Sequence, residues 1–362
     1  MKRRSLYWIA VFIPLLVWSC GGKETPDLIP PPPTPSGGEQ GGGGGGGGET
    51  PPAWEANRGK VVRPSAGNGW TVTPVREGIT YYAFSGTDAV SGVKQEVCAI
   101  DLDLTNPKYT VELTYTIPAA VTSDVHKAHK AIATMNAGYE AGSIFIKVNG
   151  STKSAIPNTQ ISSTGIPNWK SEAAFFCDGV RGVNIAGAGA FIRPYKAPDD
   201  YQGLVTKQRN FYLQRQEKYI ISSAPMLVDD YNPVGETYID NTINNWSSLA
   251  SEHPQYHQRK RHPRTAVALT HDNHFIMFVV DGRPKDSGGI GEGMSAKELT
   301  QFLVKYFNPQ YALNMDGGGS TAMCVENLGN AETHLVNKPC DTGGRADKQR
   351  ARDTHFVILP VE

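Results

Sequence analysis

The sequence predicts an α/β chain of the α+β type: a strand-rich, mixed-sheet core with a few packed helices, in a single large domain. Three observations carry this. Apolar, β-rich runs of strand length recur along the body. Only two segments show helical periodicity. After about Trp54 no second break in composition and no internal repeat divides the chain.

The elements follow in chain order. "VCAIDLDL" (97–104) and "YTVELTYTI" (109–117) have strand composition and are separated by the turn signal "TNPK". "SDVHKAHKAIA" (123–133) puts Val125, Ala128 and Ile132 on one helical face. "SIFIKVNG" (143–150) reads as a strand entering a turn, and "YIISSAPMLVDD" (219–230) as an apolar run ending in acids. "RTAVALTHDNHFIMFVVDGR" (264–283) predicts a hairpin, two apolar strands around the polar turn "HDNH". "SAKELTQFLVKYF" (295–307) is the stronger helix. Ser295 and Glu298 form a capping box, and Leu299, Phe302, Leu303 and Tyr306 repeat at i, i+3, i+4, i+7. The strand "YALNM" follows and runs into glycines.

The first twenty residues are expected to be an export signal. Lys2, Arg3 and Arg4 precede an apolar run, Leu6 to Val17, that is short for a bilayer span. "VWSC" resembles a bacterial lipobox, with Cys20 as the lipidation site. Residues 21–53 hold "IPPPPTPSGG" and eight glycines in a row, a part-stiff, part-flexible tether. These features place the protein at a bacterial cell envelope, lipid-anchored, with the outer membrane or cell surface favoured. Residues 54–94 are expected to pack on the core as an N-terminal extension, with residues 95–362 as the main domain.

Lys plus Arg number 35 and Asp plus Glu number 35, a balance that argues against a nucleic-acid partner. With Cys20 set aside, Cys98, Cys177, Cys324 and Cys340 remain. A Cys324–Cys340 bridge is one reading; four reduced, buried thiols are the other.

"NMDGGGST" (314–321) carries the most chemistry. Gly317, Gly318 and Gly319 allow close approach to the backbone and can offer several N–H groups to one anion. Ser320 and Thr321 add hydroxyls. The Lys of a phosphate-binding P-loop is missing, as is the final glycine of a nucleophile elbow. "FVVDGR" (278–283) ends an apolar strand in Asp281 and Arg283, an acid beside a guanidinium. "PRTAVAL" contributes Arg264, "ATMNAGYE" contributes Asn136 and Gly138, and "KQRARDTHFVI" contributes a basic lead into the last strand.

In this order the motifs resemble the phosphodiester glycosidase family over roughly residues 95–360. Asn136, Gly138 and Tyr139 match its Asn-Gly-Gly-Phe-Phe stretch, whereas Ala137 and Glu140 depart from it. Arg350 fits the terminal arginine's spacing better than Arg352. The resemblance implies a hydrolase that removes a sugar of the N-acetylglucosamine type from an α-linked sugar 1-phosphodiester. Asp281 or Asp316 would act as base or nucleophile, or Asp316 would hold sugar hydroxyls. Asn136, Gly138, Arg264, Arg283, Gly317–Gly319, Ser320, Thr321 and Arg350 would bind substrate. Most glycosidases need a second carboxylic acid for the leaving group. A phosphate monoester, with a second pKa of about 6, can leave without full protonation.

No metal or cofactor is required on this reading. "DDYNP" (229–233) lacks the spacing of a calcium loop and reads as a turn. His126, His129, His271 and His274 read as surface residues. The competing functions are phosphodiesterase cleavage at the P–O bond and non-catalytic binding of surface glycans.

Overall fold

The computed structural model describes residues 52–156, 169–187, 201–236, 239–343 and 347–361. The expected signal segment with Cys20, and all but the last two residues of the tether, lie outside them. No helix among the described residues is long and apolar enough to cross a membrane.

The predicted hairpin forms the centre. Its strands, Arg264–Leu269 and His274–Val280, pair antiparallel in an eight-stranded sheet. Both are apolar on both faces because both faces are covered. Ala266, Ala268, Ile276, Phe278 and Val280 face one core, while Val267, Leu269, Phe275, Met277 and Val279 face another. That is the period-two alternation of a strand inside a layered protein.

The first face receives the helix Ala296–Phe307. Ser295 caps it as expected: its hydroxyl accepts from Glu298 N at 3.2 Å, and Ser295 N donates to the Glu298 carboxylate at 2.9 Å. Leu299, Phe302, Leu303 and Phe307 are fully buried against the sheet, with Trp70 among their aromatic neighbours. Asn308, in the left-handed region at φ 42°, ends the helix.

The second face meets two smaller sheets. One is five-stranded and includes Ile146–Val148, Ala173–Cys177 and Tyr219–Ser223. The other orders Met323–Val325, Ala133–Asn136, Arg352–Pro360 and Tyr109–Ala120. Phe175, Phe275 and Phe356, one from each sheet, meet with ring centroids 4.9–6.1 Å apart. The three sheets therefore share one core.

The fold is α+β, strand-rich and single-domain over the described residues. It departs from the sequence reading in four places. Every pairing between named strands is antiparallel, so the sheets are not mixed. Residues 54–94 do more than pack on the core. Trp70–Arg76 and Ile79–Thr87 are strands of the main sheet, and the strand Lys94–Asp103 begins before residue 95. The first helix, Thr122–His129, stops at Lys130 (φ 48°); it buries Val125 and His126, leaves Ala128 exposed, and Ile132 follows it. His126 is thus no surface residue, and its Nδ1 lies 3.1 Å from Thr134 Oγ1. His274 is half-buried, with Nδ1 2.6 Å from Asp101. Cys98, Cys177, Cys324 and Cys340 are all free and buried.

Candidate active site

Strand ends from two sheets meet at one place. In the large sheet Arg264 pairs with Val280 and Ala266 with Asn314. Arg264, the segment 281–283 and the glycine loop therefore leave the sheet at the same end. In the four-stranded sheet His355 pairs with Asn136, which brings Arg352 beside the residues after Asn136. A cavity of about 220 Å³ opens there. Its floor includes Asp316 and Gly317–Gly319, and its walls carry Arg264, Arg283, Arg350, Arg352, His257 and His262. Tyr139, Glu140, Lys170 and Glu252 complete one end.

Most of the glycine loop's constraints come from the protein itself. A Cβ on Gly317 would lie 2.6 Å from the Pro263 carbonyl oxygen, and one on Gly319 would lie 2.5 Å from Arg350 Nη2. Gly318 adopts φ +61° and donates its N–H to Pro263 O at 2.8 Å. The expected nest therefore lacks the Gly318 N–H. Gly317 and Gly319 are the two whose N–H groups find no acceptor among the described residues.

Asp316 is the acid on the floor. Arg352 Nε lies 3.1 Å from its Oδ2, an ion pair in distance but not aligned as a hydrogen bond. Burial pushes the Asp316 carboxyl above its ordinary value, against the pull of Arg352. Arg350 is held at 2.8 Å by Asp341. Arg283 is exposed at the rim, at φ 51°, and pairs with no carboxylate among the described residues. Arg264 is 1 % exposed. Its guanidinium donates to the carbonyls of Met294 (2.7 Å), His257 (2.7 Å) and Lys260 (3.0 Å), and burial lowers its pKa to about 10. It remains charged at neutral pH and holds the histidine-bearing wall in place.

The cavity's charges sort into two ends. Arg283, Arg350 and the glycine N–H groups make a cationic end. At the other, Lys170 Nζ lies 2.9 Å from Glu140 and 2.8 Å from Glu252, a trio with net charge −1, and 4.7 Å from the Tyr139 ring centre. Asp316 and Arg352 link the two: Arg352 lies 3.1 Å from Asp316 and donates to Gly138 O, next to Tyr139, while Asp316 leads into the glycines that Arg283 and Arg350 approach.

Five residues expected in the site stand behind its wall. Asn136 is fully buried; its Nδ2 donates to Asp316 O at 2.7 Å and its Oδ1 accepts from Ala322 N at 3.1 Å. It fixes the loop. Gly138 is required by packing, since a Cβ would lie 2.5 Å from Ile144 and from Ile221. Ser320 and Thr321 are buried beneath the floor; Thr321 Oγ1 lies 3.4 Å from Thr265 Oγ1, and its carbonyl accepts from Asn337.

Asp281 is the fifth and the main correction. It does not line the cavity. Oδ1 accepts from Asn337 Nδ2 and Oδ2 from Lys338 N, both at 2.8 Å. Burial raises its pKa to about 6 despite these bonds. A raised acid pKa stabilises the fold below the unfolded value and loses that contribution as pH rises through the folded value. From about pH 4 to about pH 7 the wild-type chain should lose about 2 kcal/mol that Asp281→Asn does not. Urea unfolding at the two pH values checks this. The asparagine variant's deficit should be largest at acid pH, and its turnover should stay within about tenfold of wild type, since Asp281 is too remote for acid–base chemistry.

Lys170, Glu252, His257 and His262 escaped the sequence reading, and Arg352, set behind Arg350 there, lines the cavity as well. A signal existed for the histidines in "SEHPQYHQRKRHPR" (251–264), three histidines leading into the Arg264 strand. Among the described residues no group of three His, Cys, Asp or Glu is placed to hold a metal ion.

An antiparallel α+β domain that gathers strand ends around an aspartate and several arginines is the class this chain falls in. The phosphodiester glycosidase family model matches residues 129–359, and the chain belongs to that family. Among solved structures it is similar to the zebrafish N-acetylglucosamine-1-phosphodiester alpha-N-acetylglucosaminidase catalytic domain, auto-inhibited by its pro-peptide. Identity is 19 %, the TM-score is 0.50, and 83 % of this chain and 87 % of that one are covered. A Synechocystis protein has 13 % identity and a TM-score of 0.48, over 80 % of this chain and 63 % of the other. An exported protein from Burkholderia pseudomallei has 12 % identity and a TM-score of 0.45, over 74 % of each chain. A comparison with curated proteins found no match.

Proposed function

We propose that the chain hydrolyses the glycosidic C–O bond of an α-linked sugar 1-phosphodiester, with a sugar of the N-acetylglucosamine type. The observation that carries this reading is the placement of Asp316 between a cationic end and an acidic, aromatic end of one cavity. The phosphodiester's single negative charge suits Arg283, Arg350 and the N–H groups of Gly317 and Gly319. The sugar then lies toward Tyr139, Glu140 and Lys170, with its anomeric carbon over Asp316.

In the reaction, Asp316 takes a proton from the water that attacks the anomeric carbon, or attacks that carbon itself to form a glycosyl ester that water then hydrolyses. The C–O bond breaks, and its electron pair leaves on the phosphate monoester. The arginines stabilise the charge that develops there, so a second carboxylic acid is not needed. Glu140, where this chain departs from the family pattern, is engaged by Lys170 and Ser143 and helps define the sugar end. The protein would act at the cell envelope on a phosphorylated glycan, held to a membrane through a lipid on Cys20.

Hydrolysis in ¹⁸O-labelled water tests the reading. Label in the released sugar is expected. Label in the phosphate would mean P–O cleavage, and binding without product would mean a glycan-binding protein.

A further inference from the structure

Two histidines line the cavity without a role in the chemistry above. His262 directly precedes Pro263, and its backbone is fixed on both sides by Met294: His262 N donates to Met294 O at 3.2 Å, and Met294 N to His262 O at 3.0 Å. His257 sits in the short helix Pro254–Arg259, with its carbonyl held by Arg264. The two ring centroids are 6.0 Å apart. Each ring belongs to a different end of the cavity. His262 meets Arg283, whereas His257 packs on Trp169 (4.9 Å) and Tyr139 (6.0 Å) beside Lys170.

The surroundings decide which nitrogen carries the proton. Arg283 Nη2 lies 3.4 Å from His262 Nδ1. A guanidinium only donates, so Nδ1 is the acceptor and the proton of the neutral ring sits on Nε2. In His257 the Nδ1 is buried with no hydrogen-bond partner, while Nε2 is not enclosed in that way and the ring lines the cavity. A proton on Nδ1 would be an unsatisfied buried donor; on Nε2 it can be solvated. Both rings are also kept uncharged. Arg264, Arg283 and Lys260 face His262, and Arg264 and Lys170 face His257; burial and these cations both oppose protonation.

We propose that His257 and His262 hold their protons on Nε2 and present them to the cavity as a pair of neutral donors, His262 to the departing phosphate and His257 to the glycosyl group. The ligand half of this inference rests on the proposed glycosidase reading; the tautomer half does not. A neutral donor stabilises developing charge without having to be protonated first. Its contribution is therefore level across the range where a free histidine titrates.

Two measurements test it. Long-range ¹H–¹⁵N spectra of protein labelled at histidine should show both rings neutral and protonated at Nε2 from about pH 5 to about pH 8. This readout needs no substrate. Turnover of an N-acetylglucosamine-α-phosphodiester is then compared in His262→Gln, whose amide nitrogen reaches the Nε2 position, and His262→Asn, whose amide reaches only Nδ1. The glutamine variant should keep kcat/KM within about fivefold of wild type, and the asparagine variant should lose about 10²-fold. A charged ring, a proton on Nδ1, or equal activity in the two variants overturns the proposal. The expected tautomers in a wild-type protein that cleaves no glycosyl phosphodiester would sink the glycosidase reading and leave the donor pair standing.

Discussion

Asp316→Asn is expected to abolish turnover of a glycosyl phosphodiester, by about 10²–10⁴-fold in kcat, with the fold intact. The size follows from position. Asp316 is the acid on the cavity floor, at the point where the cationic and acidic ends meet. Asparagine keeps its shape and removes both its basicity and its nucleophilicity. Burial already disfavours the charged form, so neutralising the side chain costs the fold little on that account. What is lost is the Arg352 ion pair, and Arg352 still donates to Gly138 O at 3.2 Å. The same burial shapes the pH profile. If Asp316 must be ionised to act, activity falls as pH drops through its raised pKa, so the acid limb lies above that of an unperturbed aspartate. Loss of kcat and urea midpoints measured side by side separate chemistry from folding; an active asparagine variant would remove Asp316 from the mechanism.

Arg264→Met is expected to cost about 3–5 kcal/mol of stability. Methionine fills much of the space, so packing is not the main loss. The loss is of donors: the carbonyl oxygens of His257 and Lys260 lose the guanidinium that held them, and Met294 O keeps only His262 N. Two of those carbonyls belong to the segment that carries the histidines. Any variant protein that still folds should therefore show a displaced 254–262 segment and weaker turnover. Denaturant unfolding checks the first effect, and a melting point within a degree of wild type would contradict it. Arg264 was read from sequence as a substrate-binding cation; its guanidinium instead holds main-chain carbonyls.

The contrast between Asp281 and Asp316 shows what the sequence made legible. The strands and the capped helix were readable because local rules produce them. Ser295 and Glu298 satisfy a helix end, and alternate residues of Arg264–Leu269 bury on opposite faces. The motifs that end strands were readable as well, since Asp281, Asp316 and Arg283 follow apolar runs. What sequence does not contain is which way a side chain turns after its strand ends. Asp281 turns back to hold Asn337 and Lys338, fifty-six and fifty-seven positions away. Lys170 and Glu252 reach the cavity only because distant segments close over Tyr139. The glycines were rightly read as close-approach positions, yet Pro263 and Arg350 supply most of that approach.

The central claim is that Asp316 and the arginines act on one ligand. A crystal structure with a non-hydrolysable C-glycosyl phosphonate ester tests it directly. The account predicts the anomeric carbon about 3–3.5 Å from an Asp316 oxygen, with the phosphonate on Arg283, Arg350 and the glycine N–H groups. A ligand seated with its anomeric carbon beside another acid, or with its phosphonate away from those arginines, would contradict it.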